Sequence, residues 1–396
     1  MRRLALVFLV LAGAAAAAEP DPEPAPVALK SVPADGEHHL VRCKGATYWV
    51  LIPAGLDESK PVRVILWHHG SNMNGSNYTG SLKALGFGRE EILAAPNGDT
   101  KVREWVYNFT YAPKPALKTL DDLATRFRLG KVYVGGHSQG AFYTYKLAIQ
   151  YPDRFAGAVP FAAGLLKGLD PKAAAWRKGR PGPAFAIIHG EADPVVDPEL
   201  SDWAYEIIFQ AGWPCVRYYH PPRLNHWFMP GPVRPALEWC FRVSADDPET
   251  LVKNASGLLA EDRGAEAWFC LDRAEERKGD ATAIAALRRE IISKAEQHAA
   301  VWLERIKNDP PATLLKECYQ YREQWGLVPA SARVLKTLNA LRKKHVAAAR
   351  KLSRKGRKHA NKKEKDKARP YFQRIVDECW AAFEYARPAA RWLAKN

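Results

Sequence analysis

Nowhere in its 396 residues does this chain place two cysteines at C-x-x-C spacing, which removes the commonest pattern of zinc-binding thiolates. Long apolar runs are missing too. The stretch from Leu4 to Leu11 and the alanines after it are too short and too alanine-rich for a membrane span. No repeat period stands out strongly enough to mark a solenoid or array. Acidic residues are nearly absent between Leu341 and Pro370, where 14 Lys and Arg stand against 2 Asp and Glu. Most of the formal net charge of +16 therefore belongs to one segment, and an argument for nucleic-acid binding from the overall charge fails. That run also has no Phe, Tyr or Trp to stack on bases.

What is present begins with a targeting signature. Arg2 and Arg3 precede the apolar stretch, and the alanines ending at Ala18 offer a small-residue cleavage site. Residues 1–18 read as a signal peptide, so a periplasmic or secreted protein is expected. No cysteine near that site would carry a lipid anchor. All six cysteines (Cys43, Cys215, Cys240, Cys270, Cys318, Cys379) lie beyond it. An even number in an oxidising compartment permits disulfides, and six buried thiols are equally compatible.

Residues 19–30 open with alternating Pro and acidic or small residues and read as an extended linker. Over 31–243, short β-branched or apolar runs at 48–52, 62–67, 91–95, 131–135, 156–161, 184–189 and 216–219 alternate with helical stretches. This α/β pattern predicts a mostly parallel sheet covered on both faces. After residue 243 the strand-like runs stop. Helical spacing takes over near 281–307, 332–353 and 367–395, predicting a separate α-helical, basic domain over 244–396.

Gly136-His137-Ser138-Gln139-Gly140 fits G-x-S-x-G between a predicted strand and a predicted helix. That context turns a weak pattern into a nucleophile elbow, with Ser138 at the tip. An activated serine needs a base, and the base needs an orienting acid. Candidates follow in the chain order Ser, acid, His. Asp193 lies in the loop after the 184–189 strand, and His226 in the loop after the 216–219 strand. Asp197 is the rival acid, although its place before Pro198 and a helix suits capping. His220 is the rival base, in a Tyr-Tyr-His-Pro-Pro strand ending. The oxyanion donors expected are the backbone N–H of Gln139 and one from the turn after the 62–67 strand, Ser71 or alternatively Gly70. Trp105, Tyr107, Trp227 and Phe228 are candidate pocket walls or core residues. Asn72 and Asn74 suit either sugar contacts or turn chemistry.

These residues together resemble the secreted esterase group that contains polyhydroxybutyrate depolymerases, feruloyl esterases and acetylxylan esterases. Residues 151–157 (YPDRFAG), 189–196 (HGEADPVV) and His226-Trp227 followed by Pro230-Gly231 carry the likeness, which covers about 31–239. It implies an α/β-hydrolase fold and hydrolysis of carboxylic esters through a Ser138 acyl-enzyme, with no metal or organic cofactor. Two departures concern the substrate. The loop 71–77 lacks the Cys or Gln expected in many members, and 113–131 is short for the helix before the elbow. The resemblance does not reach 244–396. There the basic run 341–369 suggests attachment to an anionic polymer or a membrane surface, while a solvated helix face explains it as well.

Overall fold

A computed structural model describes residues 24–44, 46–71, 73–97, 114–166, 168–171, 182–213, 215–378, 389–390 and 392–394. The expected signal peptide, Asn72, Trp105, Tyr107, Cys379 and most of the helix expected after 378 lie outside these residues. Eight strands form one sheet: β1 (His38–Cys43), β2 (Ala46–Leu51), β3 (Val62–His68), β4 (Glu91–Pro96), β5 (Leu129–His137), β6 (Gly157–Phe161), β7 (Ala184–Ile188) and β8 (Val216–Tyr219). Their order is β1-β2-β4-β3-β5-β6-β7-β8. The pairs β1/β2 and β2/β4 are antiparallel, and every other pair is parallel. This is the α/β-hydrolase arrangement. Strands β4, β6 and β7 are buried along their whole length, which is why they read as continuous apolar runs rather than alternating ones.

The helices are α1 (Gly75–Ala84), α2 (Lys114–Leu123), α3 (Gln139–Gln150), α4 (Glu199–Gln210), α5 (Pro230–Val243), α6 (Pro248–Ala260), α7 (Gly264–Glu276), α8 (Ala281–Asn308), α9 (Pro311–Trp325), α10 (Ala332–Asn361) and α11 (Lys365–Glu378). One face of the sheet buries Ala116, Leu120, Tyr145 and Ile208 from α2, α3 and α4. The other buries Tyr78 and Leu82 from α1, then Leu237 from α5, and continues through Leu258, Phe269, Ile291 and Trp325 to Leu338.

The boundary expected at 243/244 is therefore a change of composition and not of packing. Helices α6 to α9 extend the core of the α1/α5 face and do not form a body apart. Polar ties cross the same boundary. Arg217 on β8 pairs with Glu266 on α7 (2.7 Å), and the Trp239 indole donates to that carboxylate (2.9 Å). Arg322 on α9 pairs with Glu206 on α4 (3.0 Å), both buried. Among the described residues after 243, the α10/α11 hairpin has a small core of its own, around Ala349, Ala368, Phe372 and Ile375.

Three further differences have local causes. Strand β1 escaped the sequence pattern because its histidines and Arg42 mask a partly exposed edge strand. The linker reaches only to about residue 26. Val27 bridges to Val41, Leu29 is buried, and Arg126 donates to the carbonyls of Leu29 and Val32 (3.0 and 2.6 Å). The five described cysteines are free, buried thiols. Burial pushes Cys270 up to about 12, so it stays protonated and inert at neutral pH.

Candidate active site

Register sets up the site. His68 on β3 lies beside Gly136 on β5, His137 beside Phe161 on β6, and Phe161 beside Ile188 on β7. The loops that follow these strands thus emerge together at the carboxyl edge, where parallel sheets gather their ligands. Ser138 follows β5 with φ 53° and ψ −116°, a strained conformation for a residue with a Cβ. Its N–H is held by the Phe161 carbonyl (2.8 Å). The flanking glycines answer to space. A Cβ on Gly136 would sit 2.5 Å from the Gly140 carbonyl oxygen, and one on Gly140 would sit 2.3 Å from that of His68.

Ser138 Oγ donates to His226 Nε2 (3.0 Å), and His226 Nδ1 donates to Asp193 Oδ2 (2.8 Å). Asp193 is buried. Its second oxygen accepts from the backbone N–H of Val195 and Val196 (2.8 and 2.9 Å). Burial alone would raise the Asp193 carboxyl. Hydrogen bonds from His189 and His226, with the Val196 amide, outweigh it and hold the pKa well below the ordinary carboxylate range. Asp193 is therefore a lasting negative charge that orients His226. Asp197 instead accepts from the Glu199 N–H at the start of α4 (3.1 Å). His220 faces Glu191 at the surface (3.4 Å).

Two positioning groups were not found from the sequence. His189 Nε2 donates to Asp193 Oδ2, the oxygen that also accepts from His226 (3.1 Å), and its other nitrogen meets Ser201 Oγ (2.7 Å). The clue was the His-Gly that ends β7 four residues before the acid. His137, the variable residue of the elbow, donates from Nε2 to the His226 carbonyl (2.6 Å). Its Nδ1 must then accept, and the Tyr78 hydroxyl supplies the proton (2.8 Å). Burial lowers His137 to about 4, which keeps this neutral tautomer at neutral pH. No local pattern links residues 78, 137 and 226.

The same tyrosine corrects one expectation. Tyr78 Oη accepts the Gly70 N–H (3.1 Å), so that donor is already engaged and Gly70 is not available as an oxyanion donor. Ser71, exposed in the turn after Gly70, remains on the β3 side. Gln139 is the first residue of α3, next to Ser138.

Phe228 packs against Trp67, Tyr78, His137 and Phe161 at ring distances of 4.8–5.8 Å. Half-buried, it wedges the His226 loop against these rings. Asn74 caps α1 by accepting from the Asn77 N–H (3.2 Å), as turn chemistry predicts. Trp227 is different: it is 72% exposed beside His226, with Met229 at 50% and Val195 at 39%. All three are large apolar side chains left exposed on the loops that carry Asp193 and His226. Among the described residues, no group of three His, Cys, Asp or Glu side chains is placed to hold a metal ion.

No protein-family model matches the chain. Part of it is similar to a poly(3-hydroxyalkanoate) depolymerase. That protein, depolymerase C of Paucimonas lemoignei, is 31% identical over 183 residues, covering 37% of this chain and 44% of the relative. The chain thus spans under half the length of the curated relative it matches. Among solved structures, an S-formylglutathione hydrolase of Staphylococcus aureus superposes with a TM-score of 0.39 at 18% identity, over 49% of this chain and 92% of its own. A Bacillus cereus carboxylesterase superposes with a TM-score of 0.40 at 20% identity, over 49% of this chain and 93% of its own.

Proposed function

We propose that this chain is an exported serine esterase that cleaves carboxylic esters by acyl transfer. The observation that carries the reading is the unbroken line from Ser138 Oγ through His226 to Asp193 on a strained elbow. Ser138 Oγ attacks the ester carbonyl carbon while His226 Nε2 takes its proton. The carbonyl oxygen becomes an oxyanion facing the backbone N–H groups of Gln139 and Ser71. Such donors contribute on the order of 3 kcal/mol each to the transition state. Collapse expels the alcohol, which takes the proton from His226 and leaves Ser138 acylated. Water, deprotonated by His226, then releases the acid. Asp193 stays ionised throughout and stabilises the imidazolium.

For the substrate we favour an apolar polyester or an acyl group on a polymer. The relative's name specifies a poly(3-hydroxyalkanoate), and the exposed Trp227, Met229 and Val195, on the loops that carry His226 and Asp193, make an apolar rim that suits such a chain. The amino-terminal targeting signature supports a location outside the cytoplasm, where such polymers are met. A panel of aryl acetate, aryl butyrate, feruloyl ester and short polyester films tests this, run beside Ser138→Ala. Equal rates for both proteins on every substrate would remove the reading. A fluorophosphonate that labels the wild type and not Ser138→Ala identifies the nucleophile independently of substrate choice.

A further inference from the structure

Helix α10 runs for 30 residues without a single Asp or Glu and carries 11 Lys and Arg. Its burial pattern assigns the faces. Ala349, Ser353 and Gly356 are buried, and a Cβ on Gly356 would press within 2.9 Å of the Phe372 ring on α11. The Lys/Arg pairs that begin at 343, 350, 354 and 357 are all exposed. On a helical wheel these eight positions fill one unbroken arc of roughly 160°, opposite the buried stripe, over about 22 Å of helix. Among the described residues, none of the eight has a carboxylate within ion-pairing distance. Arg342, next to this face, is the exception that shows the contrast, since it pairs with the buried Glu206 of α4 (3.3 Å) and ties α10 to the body of the protein.

Like charges held this close repel one another, and the face is stabilised when an outside anion takes the place of mobile counterions. We propose that this face of α10 docks a linear acidic polysaccharide. The site's own chemistry separates this partner from the alternatives. A helix that lies in a membrane surface presents apolar side chains for insertion. The apolar side of α10 packs against α11, and among the described residues the exposed large apolar ones (Val27, Val195, Trp203, Trp227, Met229, Val301) all lie on other elements. Single-stranded nucleic acid is held by exposed aromatics as well as by charge. Among the described residues, the aromatic ring beside the face, Tyr371, is half-buried, stacked on His359 and covered by Lys355 (5.8 Å). A strip one helix wide, bearing charge alone, matches a flexible chain with regularly spaced carboxylates or sulfates.

The placement has a consequence for the rest of the molecule. Ala390, after α11, lines a cavity of about 630 Å3 together with Glu191, Asp193 and Val195. The chain that leaves the cationic hairpin therefore borders the acid loop, and a docked polymer would be held on the molecule that carries Ser138. Docking itself does not depend on the ester chemistry.

Binding of the full-length protein to polygalacturonate and to dextran sulfate tests the proposal, with neutral dextran, phosphatidylglycerol vesicles and a single-stranded oligonucleotide in parallel. The expected result is polysaccharide binding that weakens steadily with salt and falls by about ten-fold or more in the quadruple variant Lys344→Gln, Lys351→Gln, Arg354→Gln, Lys358→Gln. Its melting temperature and its labelling by a fluorophosphonate should match the wild type. A double variant, Lys351→Gln with Lys358→Gln, guards against misfolding and should lose affinity in the same direction by a smaller factor. Undiminished binding by both variants, no polysaccharide binding by the wild type, or tighter binding to the vesicles or the oligonucleotide would each overturn it.

Discussion

The turn at Ser138 and the outer face of α10 handle charge in opposite ways. At Ser138, Asp193 is buried and accepts from two imidazoles and two backbone amides. On α10, eight cationic side chains stand in water with no carboxylate in reach among the described residues. A buried carboxylate must be matched donor for donor, because each unmade bond costs about 1–3 kcal/mol there. An exposed lysine needs no partner and acts through a field that salt screens within about 10 Å. The first region therefore suits a reaction that depends on tenths of an ångström. The second suits reversible, salt-sensitive attachment.

The comparison breaks if one region depends on the other. The largest effect expected is from Ser138→Ala, which should lower kcat/KM on any accepted ester by about 10^5-fold or more. The same variant should bind polygalacturonate as the wild type does, measured at matched ionic strength. Asp193→Asn comes next. With the orienting carboxylate gone, turnover should drop by roughly 10^4-fold. Asp197→Asn should leave turnover within about three-fold and alter mainly the stability of α4, by on the order of 1 kcal/mol. A comparable loss from both would mean that the acid had been assigned to the wrong carboxylate.

Acid should separate the regions more gradually. Burial depresses His137 and His69 to about 4 and His68 to about 3. Below its ordinary value near 6.5 each histidine takes a proton more readily in the unfolded chain, so folded-state stability falls as pH drops from about 6.5 to 4 and is flat above. Each contributes on the order of 3 kcal/mol across that window. Melting temperatures at pH 7, 5.5 and 4.5 should decline, and His137→Gln should flatten the slope. None of these three histidines lies on α10. Polygalacturonate binding at pH 5.5 should therefore still respond to salt as it does at pH 7. The smallest effect concerns the rim. Trp227→Ala should raise the apparent KM for a polyester film by several-fold, with hydrolysis of a soluble aryl acetate changed by less than about two-fold.

How far the candidate site could be read from sequence follows the distance over which each part is determined. The elbow is local: Gly136, Ser138 and Gly140 lie within five residues, and strand, turn and helix surround them in the chain. The order Ser138, Asp193, His226 follows from chain direction through a parallel sheet. Three things escaped, two of them because they are decided between distant segments. Tyr78 occupies the Gly70 N–H and reaches His137, 59 residues further on. His189 meets the acid across only four residues, but the fold decides that its ring is buried against it. Phe228 fills a space made by four other rings, so the sequence could not tell a pocket wall from a wedge. At 243/244 the sequence showed composition and not packing, for a related reason. A loss of strand pattern is visible in composition, whereas the burial of Leu258 and Phe269 beside Leu237 under the sheet is not.

By itself the sequence determined the alternation of strands and helices, the elbow, the order of the candidate triad and the charge of α10. Each of these rests on periodicity, on glycine where a Cβ cannot fit, or on counting charges, and none needs a distant partner. The tertiary structure decided which aspartate meets His226, which amide is already engaged near the oxyanion, and that α6 to α9 complete the sheet's core. It also decided which side of α10 faces water. Those outcomes depend on which buried groups meet across the fold, and burial is what makes an unpaired polar atom or an unfilled space costly enough to select one arrangement.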